Sequence, residues 1–390
     1  MNPRSALAEA RRIVVKMGSN VVTDPVRGGI ALGRVHGLVE ALAELQRRGK
    51  QVILVSSGAV AMGRVALGLR ERPSSLGLRQ ACAAVGQGQL IALYAQAFGL
   101  MGLEVAQVLL TQEDLGDRDR LLCLRTTLMR LIELRVVPIL NENDSVSVRE
   151  LVERRGGGAP VFGDNDGLSA RLALAIDADL LVLLTDVDGL YTANPSVDPQ
   201  ARRIADLEAV DEGTLAMATG SSSAGTGGME SKLRAAAYAG ERGLPVLIAR
   251  GDGPNLERAL AGEDEGTLIG GGLGGAGGAG RRSAHRRAIA VGKAARGALI
   301  LNEGAIAALV ERKASLLPVG VVGVDGDFLS GDLVELRDGS GRVHGRGLVN
   351  YGAGECRAIA GRHSSEIDAI LGWRGYDEVI VRDNLVMTIC

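Results

Sequence analysis

The sequence predicts an α/β fold: a three-layer α/β/α sandwich around a mainly parallel sheet, followed by a small β-rich domain. Over the first two-thirds of the 390 residues, short apolar, mostly β-branched runs alternate with longer amphipathic stretches. Continuous apolar strands separated by helices are typical of a parallel sheet covered on both faces, with right-handed crossover connections. A glycine-dense stretch then precedes a remainder that is rich in short strands.

The apolar runs are the predicted strands of the sheet, and each is expected to be buried. They lie at residues 13–15, 52–55, 105–110, 136–140, 180–184 and 246–248. The amphipathic stretches between them are the predicted helices, at residues 34–48, 78–98, 120–135 and 231–242.

The character of the chain changes at residue 270. Residues 270–280 read GGGLGGAGGAG, and glycine at this density cannot hold a packed element. We therefore predict a catalytic α/β domain at 1–269, a linker at 270–284 and a β-rich domain at 285–390. The predicted strands of that last domain lie at residues 288–291, 319–324, 333–336, 343–349 and 379–381.

Composition excludes several classes of protein. With 46% hydrophobic and 23% charged residues the chain is globular, and a formal net charge of −2 predicts no general attraction to nucleic acid or anionic membranes. The four cysteines form no C-x-x-C pair, so we expect neither a disulfide framework nor a structural zinc site. We see no secretory signal and no apolar run of about 18 residues, and we expect a cytoplasmic protein with no membrane span.

Three glycine-containing segments are expected to follow strands, at the sheet edge where open α/β sheets bind ligands. Lys16 ends the first predicted strand, and Gly18 follows it. An ammonium beside exposed backbone N–H groups can bind phosphate, although a lysine so placed is more often an ordinary surface lysine. Ser57 lies where a strand turns into a helix, which can bind an anion or simply cap the helix. Residues 225–232 lead into a helix with Lys232 in its first turn, but they lack the Walker A pattern.

Three further segments combine carboxylates and amides. Residues 141–144, Asn-Glu-Asn-Asp, end a predicted strand and can bind an ammonium group or a metal ion. Residues 164–166, Asp-Asn-Asp, open a helix, where capping is the simpler explanation. Thr185 and Asp186 leave a strand and also suit an ordinary turn.

Taken in order, these segments resemble the glutamate 5-kinases of the amino acid kinase family. The matching stretches are VVKMGSN, VSSGAVAMGR, AAVGQGQL, VPILNENDSV, FGDNDGLSA, LLTDVDGLYTANP and GTGGMESKLRAA, which span residues 13–236. The runs NEGAIAALVERKASLLPVGV, GDFLSGDLVEL and HSSEIDAILG are similar to the PUA domain at the carboxyl end of many of these enzymes. The resemblance covers nearly the whole chain and implies the amino acid kinase fold.

The resemblance also implies roles for individual residues. The implied catalytic residues are Lys16, Lys232 and Asp166, with Asp166 organising the two lysines. The implied ATP contacts are Lys16, Thr185, Asp186, Thr226, Gly227, Gly228, Met229, Glu230, Ser231 and Lys232. The implied glutamate contacts are Ser57, Asp144 and Asn165. No side chain is implied as a metal ligand, and Mg²⁺ is expected to arrive with ATP.

The implied reaction is phosphorylation of the γ-carboxylate of L-glutamate to L-glutamyl 5-phosphate, the first step of proline biosynthesis. Feedback inhibition by proline and a homo-oligomer, often a tetramer, are implied with it. Met17 and Ser19 stand where leucine and threonine are commoner in the family. The segment 149–160, RELVERRGGGAP, looks longer and more basic than usual and is expected near the glutamate site.

Three other functions compete with this one. Another member of the same fold could act on acetylglutamate, aspartate, carbamate or UMP, and the fold alone does not decide. The PUA-like domain could instead bind RNA, but residues 281–390 contain 15 Lys/Arg and 13 Asp/Glu, which is a basic excess of only +2. A Rossmann dehydrogenase is excluded because no GxGxxG follows the first strand.

Overall fold

The computed structural model describes residues 4–24, 29–71, 73–146, 165–195, 197–218, 228–270, 295–372 and 376–387. The chain divides into two compact units, residues 1–280 and 281–390. The predicted linker 270–284 spans this division, and all of it beyond Gly270 lies outside the described residues, as does the predicted strand 288–291.

The first unit alternates strands and helices along the chain. Its strands are β1 (Arg12–Met17), β2 (Gln51–Val55), β3 (Val105–Leu110), β4 (Val137–Glu142), β5 (Leu180–Thr185), β6 (Asp206–Leu207), β7 (Val246–Arg250) and β8 (Thr267–Ile269). Its helices are α1 (Ser5–Glu9), α2 (Ser19–Val22), α3 (Leu32–Arg47), α4 (Ala59–Ala66), α5 (Leu76–Leu100), α6 (Gln112–Gly116), α7 (Arg118–Glu133), α8 (Asn165–Ala175), α9 (Glu212–Ala218), α10 (Met229–Gly240) and α11 (Gly253–Leu260).

These strands form one sheet in the order β3-β4-β2-β1-β5-β7-β8-β6. All of its pairings are parallel except the one between β7 and β8. The predicted mainly parallel sheet is therefore confirmed. The sequence prediction missed β6 and β8, because strands of two or three residues are too short to show a period.

The sheet is the middle layer of a three-layer sandwich, as predicted. Side chains of a strand point alternately to its two faces. Ile13 and Val15 accordingly belong to one buried core with α3, α5 and α11, whereas Val14 belongs to a second core with α7, α8 and α10. Two separate cores on opposite faces explain why residues 13–15 of β1 and 180–184 of β5 are continuously apolar.

Strand β3 differs from its prediction as a buried strand. It lies at one end of the sheet order, with β4 as its partner. Most of its side chains are partly exposed, and Leu109 is 37% exposed. An apolar run therefore does not distinguish an edge strand from a central one.

Helices α4 and α5 pack with their backbones in direct contact. A methyl group at Gly63 would lie 1.8 Å from the carbonyl oxygen of Cys82, and one at Gly86 would lie 1.8 Å from that of Ala59. Only glycine permits this approach. The contact fixes the position of α5 against the chain segment that leaves β2.

The second unit contains a five-stranded sheet in the order β10-β9-β11-β12-β13. Its elements are β9 (Gly297–Leu301), α12 (Glu303–Glu311), β10 (Val321–Gly326), β11 (Leu333–Arg337), β12 (Val343–Leu348), α13 (Ala353–Ile359), α14 (Ile367–Leu371) and β13 (Leu385–Met387). The predicted strand 379–381 is wrong: Ile380 forms a single bridge with Leu316, and the last strand lies later, at β13. β9 was also missed. Within the described part of the chain, no helix is long and apolar enough to cross a membrane.

Candidate active site

The polar ends of the parallel strands meet at one edge of the first unit's sheet. β1, β2, β4, β5 and β7 run in parallel, so their carboxyl ends lie together. The next strand along the chain after β1 is β2, which lies on one side of β1, and the next strand after β5 is β6, which lies on the other side of the sheet. β1 and β5 are neighbours, and the crevice between such diverging connections is where open α/β sheets bind ligands.

Two lysines from distant parts of the chain meet one aspartate in this crevice. Lys16 is the last but one residue of β1, and its Nζ lies 2.5 Å from Oδ1 of Asp166 in the first turn of α8. Lys232, from the first turn of α10, places its Nζ 3.3 Å from Oδ2 of the same carboxylate. Lys16 and Lys232 are each 3% exposed, and Asp166 is 0% exposed. The interpretation of Lys16 as a surface lysine is therefore wrong.

Asp166 is ionised in this cluster. Burial alone would raise the pKa of its carboxyl, but the charges and hydrogen bonds of Lys16 and Lys232 outweigh burial and lower the pKa below its usual range. Ser231 adds a hydrogen bond from its Oγ to Oδ2 at 3.1 Å. One carboxylate between two ammonium groups leaves the three side chains with a formal charge of +1. A buried site with excess positive charge favours an anion.

A second cluster, of amides and hydroxyls, lies beside the first. Nδ2 of Asn165 lies 2.9 Å from Ser56 O and 2.9 Å from Ser57 Oγ. It also lies 2.9 Å from Oδ1 of Asn141, at the end of β4. Asn165 Oδ1 is buried and has no hydrogen-bond partner among the residues described. Because Asn165 and Asp166 are adjacent at the start of α8, the two clusters share one helix terminus.

The residues after β1 and β5 are joined across the crevice. Asn20 Nδ2 donates to Asp186 Oδ2 at 3.2 Å, and Thr185 Oγ1 donates to Asp186 Oδ1 at 3.0 Å. Thr185 is buried, whereas Asp186 is exposed at the mouth of the crevice. The predicted pair Thr185 and Asp186 thus lies next to the end of β1 that carries Lys16.

The prediction that the third glycine-containing segment directly follows a strand falls on residues 219–227, which lie outside the described residues. The last described element before it is helix α9, and α10 begins at Met229 with Gly228 as its N-cap. Thr226 and Gly227 lie outside the described residues. Glu230 forms an ion pair of 2.7 Å with Arg234 on the same helix. Of the described residues in this segment, Ser231 and Lys232 reach Asp166.

Asp144 lies in the turn that follows β4 and is partly buried. The backbone N–H of the preceding Asn143 donates to Leu110 O at 2.7 Å, which ties this turn to the end of β3. The basic segment 149–160 and Asp164 lie outside the described residues.

Sequence reasoning missed three residues of these clusters. The sequence shows Asn141 as one of several polar residues at a strand end, without an individual role, and gives no separate signal for Asn20. Gln87 of α5 accepts a hydrogen bond from Asn141 Nδ2 at 2.7 Å. A signal for Gln87 was present in the stretch AAVGQGQL, which carried part of the family resemblance.

Comparisons with known proteins agree with this architecture. The amino acid kinase family profile matches residues 11–250, and the PUA domain profile matches residues 297–371. A protein of Gloeobacter violaceus named glutamate 5-kinase is 49% identical over 376 residues, which cover 96% of this chain and 98% of that protein. Proteins with the same name from Carboxydothermus hydrogenoformans and Myxococcus xanthus are 44% and 46% identical, each over 98% of this chain and 99% and 98% of their own length.

Proposed function

Since the chain belongs to the amino acid kinase family, we propose that it transfers the γ-phosphoryl group of ATP to the γ-carboxylate of L-glutamate. The product is L-glutamyl 5-phosphate, and the reaction is the first step of proline biosynthesis. The observation that carries the proposal is the buried cluster of Lys16, Asp166 and Lys232 beside the amide cluster of Asn165. Full-length relatives named glutamate 5-kinase support glutamate as the acceptor over other substrates of the family.

The acceptor chemistry fits a site built from lysines and amides. A glutamate side chain has a reference pKa near 4.3, so it is already an anion at neutral pH and needs no general base. The obstacle is that two anions must approach each other. Catalysis then consists of holding both reactants in place and neutralising the charge on the transferred group.

Lys16 and Lys232 supply the neutralising charge. Their ammonium groups come from β1 and α10, on different sides of the crevice, and both contact the Asp166 carboxylate. Between two such groups the β- and γ-phosphates of ATP would meet positive charge from two directions. Asp166 is a positioning residue, because its carboxylate contacts the ammonium groups of both lysines and holds them in place.

The amide cluster supplies groups for the glutamate main chain. Asn165 Oδ1 is a buried acceptor without a partner among the described residues, which suits the α-ammonium of an amino acid. Ser57 Oγ lies beside it, 2.9 Å from Asn165 Nδ2. Asp144, at the end of the neighbouring strand, adds a carboxylate that can pair with the same ammonium.

The nucleotide would occupy the crevice between β1 and β5. Thr185 and Asp186 border it, and α10 begins there with backbone N–H groups that favour phosphate. The remaining proposed contacts are Thr226, Gly227, Gly228, Met229, Glu230 and Ser231.

Mg²⁺ fits this site as a companion of ATP. Among the residues described, no group of three or more His, Cys, Asp or Glu side chains is arranged to hold a metal ion. With a nucleotide, Mg²⁺ is usually held mostly by phosphate oxygens and water, and this arrangement does not require a cluster of protein ligands. When bound, the ion would neutralise phosphate charge in addition to the two lysines.

We further propose that the protein acts in the cytoplasm as a homo-oligomer inhibited by proline, as expected for this branch of the family. RNA binding by the second unit is an alternative suggested by its PUA domain match. Salt-dependent retention of RNA by the full-length protein would support it.

The test of the function is an ADP-release assay across acceptors. Purified protein is supplied with ATP, Mg²⁺ and either glutamate, acetylglutamate, aspartate, carbamate or UMP. We expect turnover with glutamate, inhibition of that turnover by proline, and capture of the acyl phosphate as a hydroxamate when hydroxylamine is added. Turnover with another acceptor in preference to glutamate would overturn the proposal.

A further inference from the structure

A chain of side-chain hydrogen bonds joins helix α5 to the proposed glutamate site. Gln87 Oε1 accepts from Asn141 Nδ2 at 2.7 Å. Asn141 Oδ1 then accepts from Asn165 Nδ2 at 2.9 Å. Asn141, the central member, is only 3% exposed, so its polar atoms depend on these protein partners.

Backbone groups determine which atom of each asparagine side chain donates and which accepts in this series of hydrogen bonds. The backbone N–H of Glu142 can only donate, and it lies 2.9 Å from the Asn141 atom assigned as Oδ1. The carbonyl of Ser56 can only accept, and it lies 2.9 Å from the Asn165 atom assigned as Nδ2. Each asparagine therefore has one orientation that satisfies its neighbours. It follows that Asn141 presents its NH₂ group to Gln87, which must present an oxygen.

The same geometry leaves one side-chain acceptor, Asn165 Oδ1, without a hydrogen-bond donor among the described residues. The oxygens of Asn141, Ser56 and Ser57 share the two hydrogens of Asn165 Nδ2. A flipped Asn165 would instead present an NH₂ group there, which repels an ammonium. The orientation of these amides thus decides whether the site accepts a positively charged group.

Gln87 is placed by the packing of its helix. Gly86, the residue before it, lets α5 approach α4 so closely that an added methyl group would lie 1.8 Å from Ala59 O. Gln87 itself is half-buried, with its amide directed to the end of β4. A change at Gln87 can therefore alter the hydrogen-bond chain without opening a hole in the core.

We propose that Gln87 is a positioning residue that makes the site selective for an acceptor with an α-ammonium group. By accepting from Asn141, Gln87 adds to the two backbone groups that orient these amides and stabilises the arrangement that presents Asn165 Oδ1. This inference rests on the proposed function. It adds a specificity-determining residue that contacts no substrate.

The test compares glutamate with glutarate, which has the same two carboxylates but lacks the ammonium. Gln87→Met removes the acceptor at nearly constant size. Loss of one hydrogen bond of this kind typically costs about a fivefold change in an equilibrium. We expect the ratio of glutamate to glutarate affinity, measured by calorimetry, to fall about fivefold or more, with KM for ATP unchanged. The matched control is Gln89→Met on the exposed side of the same helix, which should leave the ratio unchanged.

Gln87→Glu is the rescue variant, because a carboxylate still accepts from Asn141 Nδ2. Its ratio should not fall, since added negative charge repels doubly charged glutarate more than glutamate. Gln87→Glu also supplies the comparison if Gln87→Met fails to fold. An unchanged ratio in Gln87→Met, or an equal fall in both Gln87 variants, would overturn the inference. A wild-type protein that does not phosphorylate glutamate would instead contradict the proposed function.

Discussion

Replacing Asp166 by asparagine should destabilise the first unit and impair catalysis together. The carboxylate is 0% exposed and lies between two ammonium groups that are themselves almost fully buried. The substitution keeps the size of the side chain and removes its charge. Lys16 and Lys232 are then left buried beside each other without a counter-charge. Removing one partner from a buried ion pair costs about 3–5 kcal/mol of unfolding free energy.

Thermal unfolding measures this loss directly. One kcal/mol corresponds to about 2–4 °C in Tm for domains of 150–250 residues, so we expect Tm to fall by at least about 6 °C. The control is Glu133→Gln, whose carboxylate is 62% exposed and lies 2.9 Å from Arg130, which is itself 54% exposed. An exposed pair of that kind contributes about 0–1 kcal/mol. Equal Tm values and equal kinase activity for the two variants would refute the role assigned to Asp166.

The pH dependence of stability gives a second measure of Asp166. Its pKa in the folded protein is lowered from the ordinary value of 3.8, because the attraction of two lysines outweighs the effect of burial. A lowered folded pKa stabilises the protein fully above the unfolded pKa, and the stabilisation is lost as pH falls through the folded pKa. The gap in unfolding free energy between wild type and Asp166→Asn should therefore be widest above about pH 5 and should narrow in acid. A gap that is constant down to pH 2 would contradict this assignment.

Three further predictions concern the site and its support. Lys232→Ala should lower kcat by about a hundredfold or more, because it removes a charge that stabilises the transferred group. A kcat within a few-fold of the wild-type value in steady-state kinetics would count against this. Asp144→Ala should raise KM for glutamate and leave KM for ATP unchanged, whereas an unchanged glutamate KM would remove Asp144 from the substrate site. Gly86→Ala should destabilise by about 1–3 kcal/mol, because the new methyl group would lie 1.8 Å from Ala59 O. A methyl group added at Gly88 of the same helix would have no atom within 4 Å, so Gly88→Ala should be neutral or stabilising. Urea titration of both variants measures the two changes in unfolding free energy.

Much of the first unit's fold could be predicted because its central strands are buried on both faces. Such strands carry continuous apolar runs, and the run at residues 180–184 predicts β5 to within one residue. The exposure of β3 was not predictable, since its neighbours in the sheet depend on the order of strands and not on its own residues. The last strand of the second unit was misplaced because Ile380 is apolar and buried without lying in a ladder.

The site residues that could be predicted are those at strand ends and those in the stretches that carry the family resemblance. Lys16 alone resembled a surface lysine, because its burial depends on Asp166, which lies 150 positions further along the chain. Gln87 lies in the interior of a 25-residue helix, where a glutamine has no local signature. Its role depends on the approach of α4 and α5 and on the end of β4. Residues that act through another side chain are therefore found from contacts rather than from motifs.

The central claim is that Lys16 and Lys232 bind one triphosphate next to the carboxylate it will phosphorylate. A structure of the protein with a non-hydrolysable ATP analogue, Mg²⁺ and L-glutamate tests it most directly. We expect both Nζ atoms within hydrogen-bond distance of the phosphates, and a glutamate side-chain oxygen about 3–3.5 Å from the γ-phosphorus. Phosphates bound out of reach of either lysine, or glutamate bound away from the cluster of Asn165, would contradict the claim.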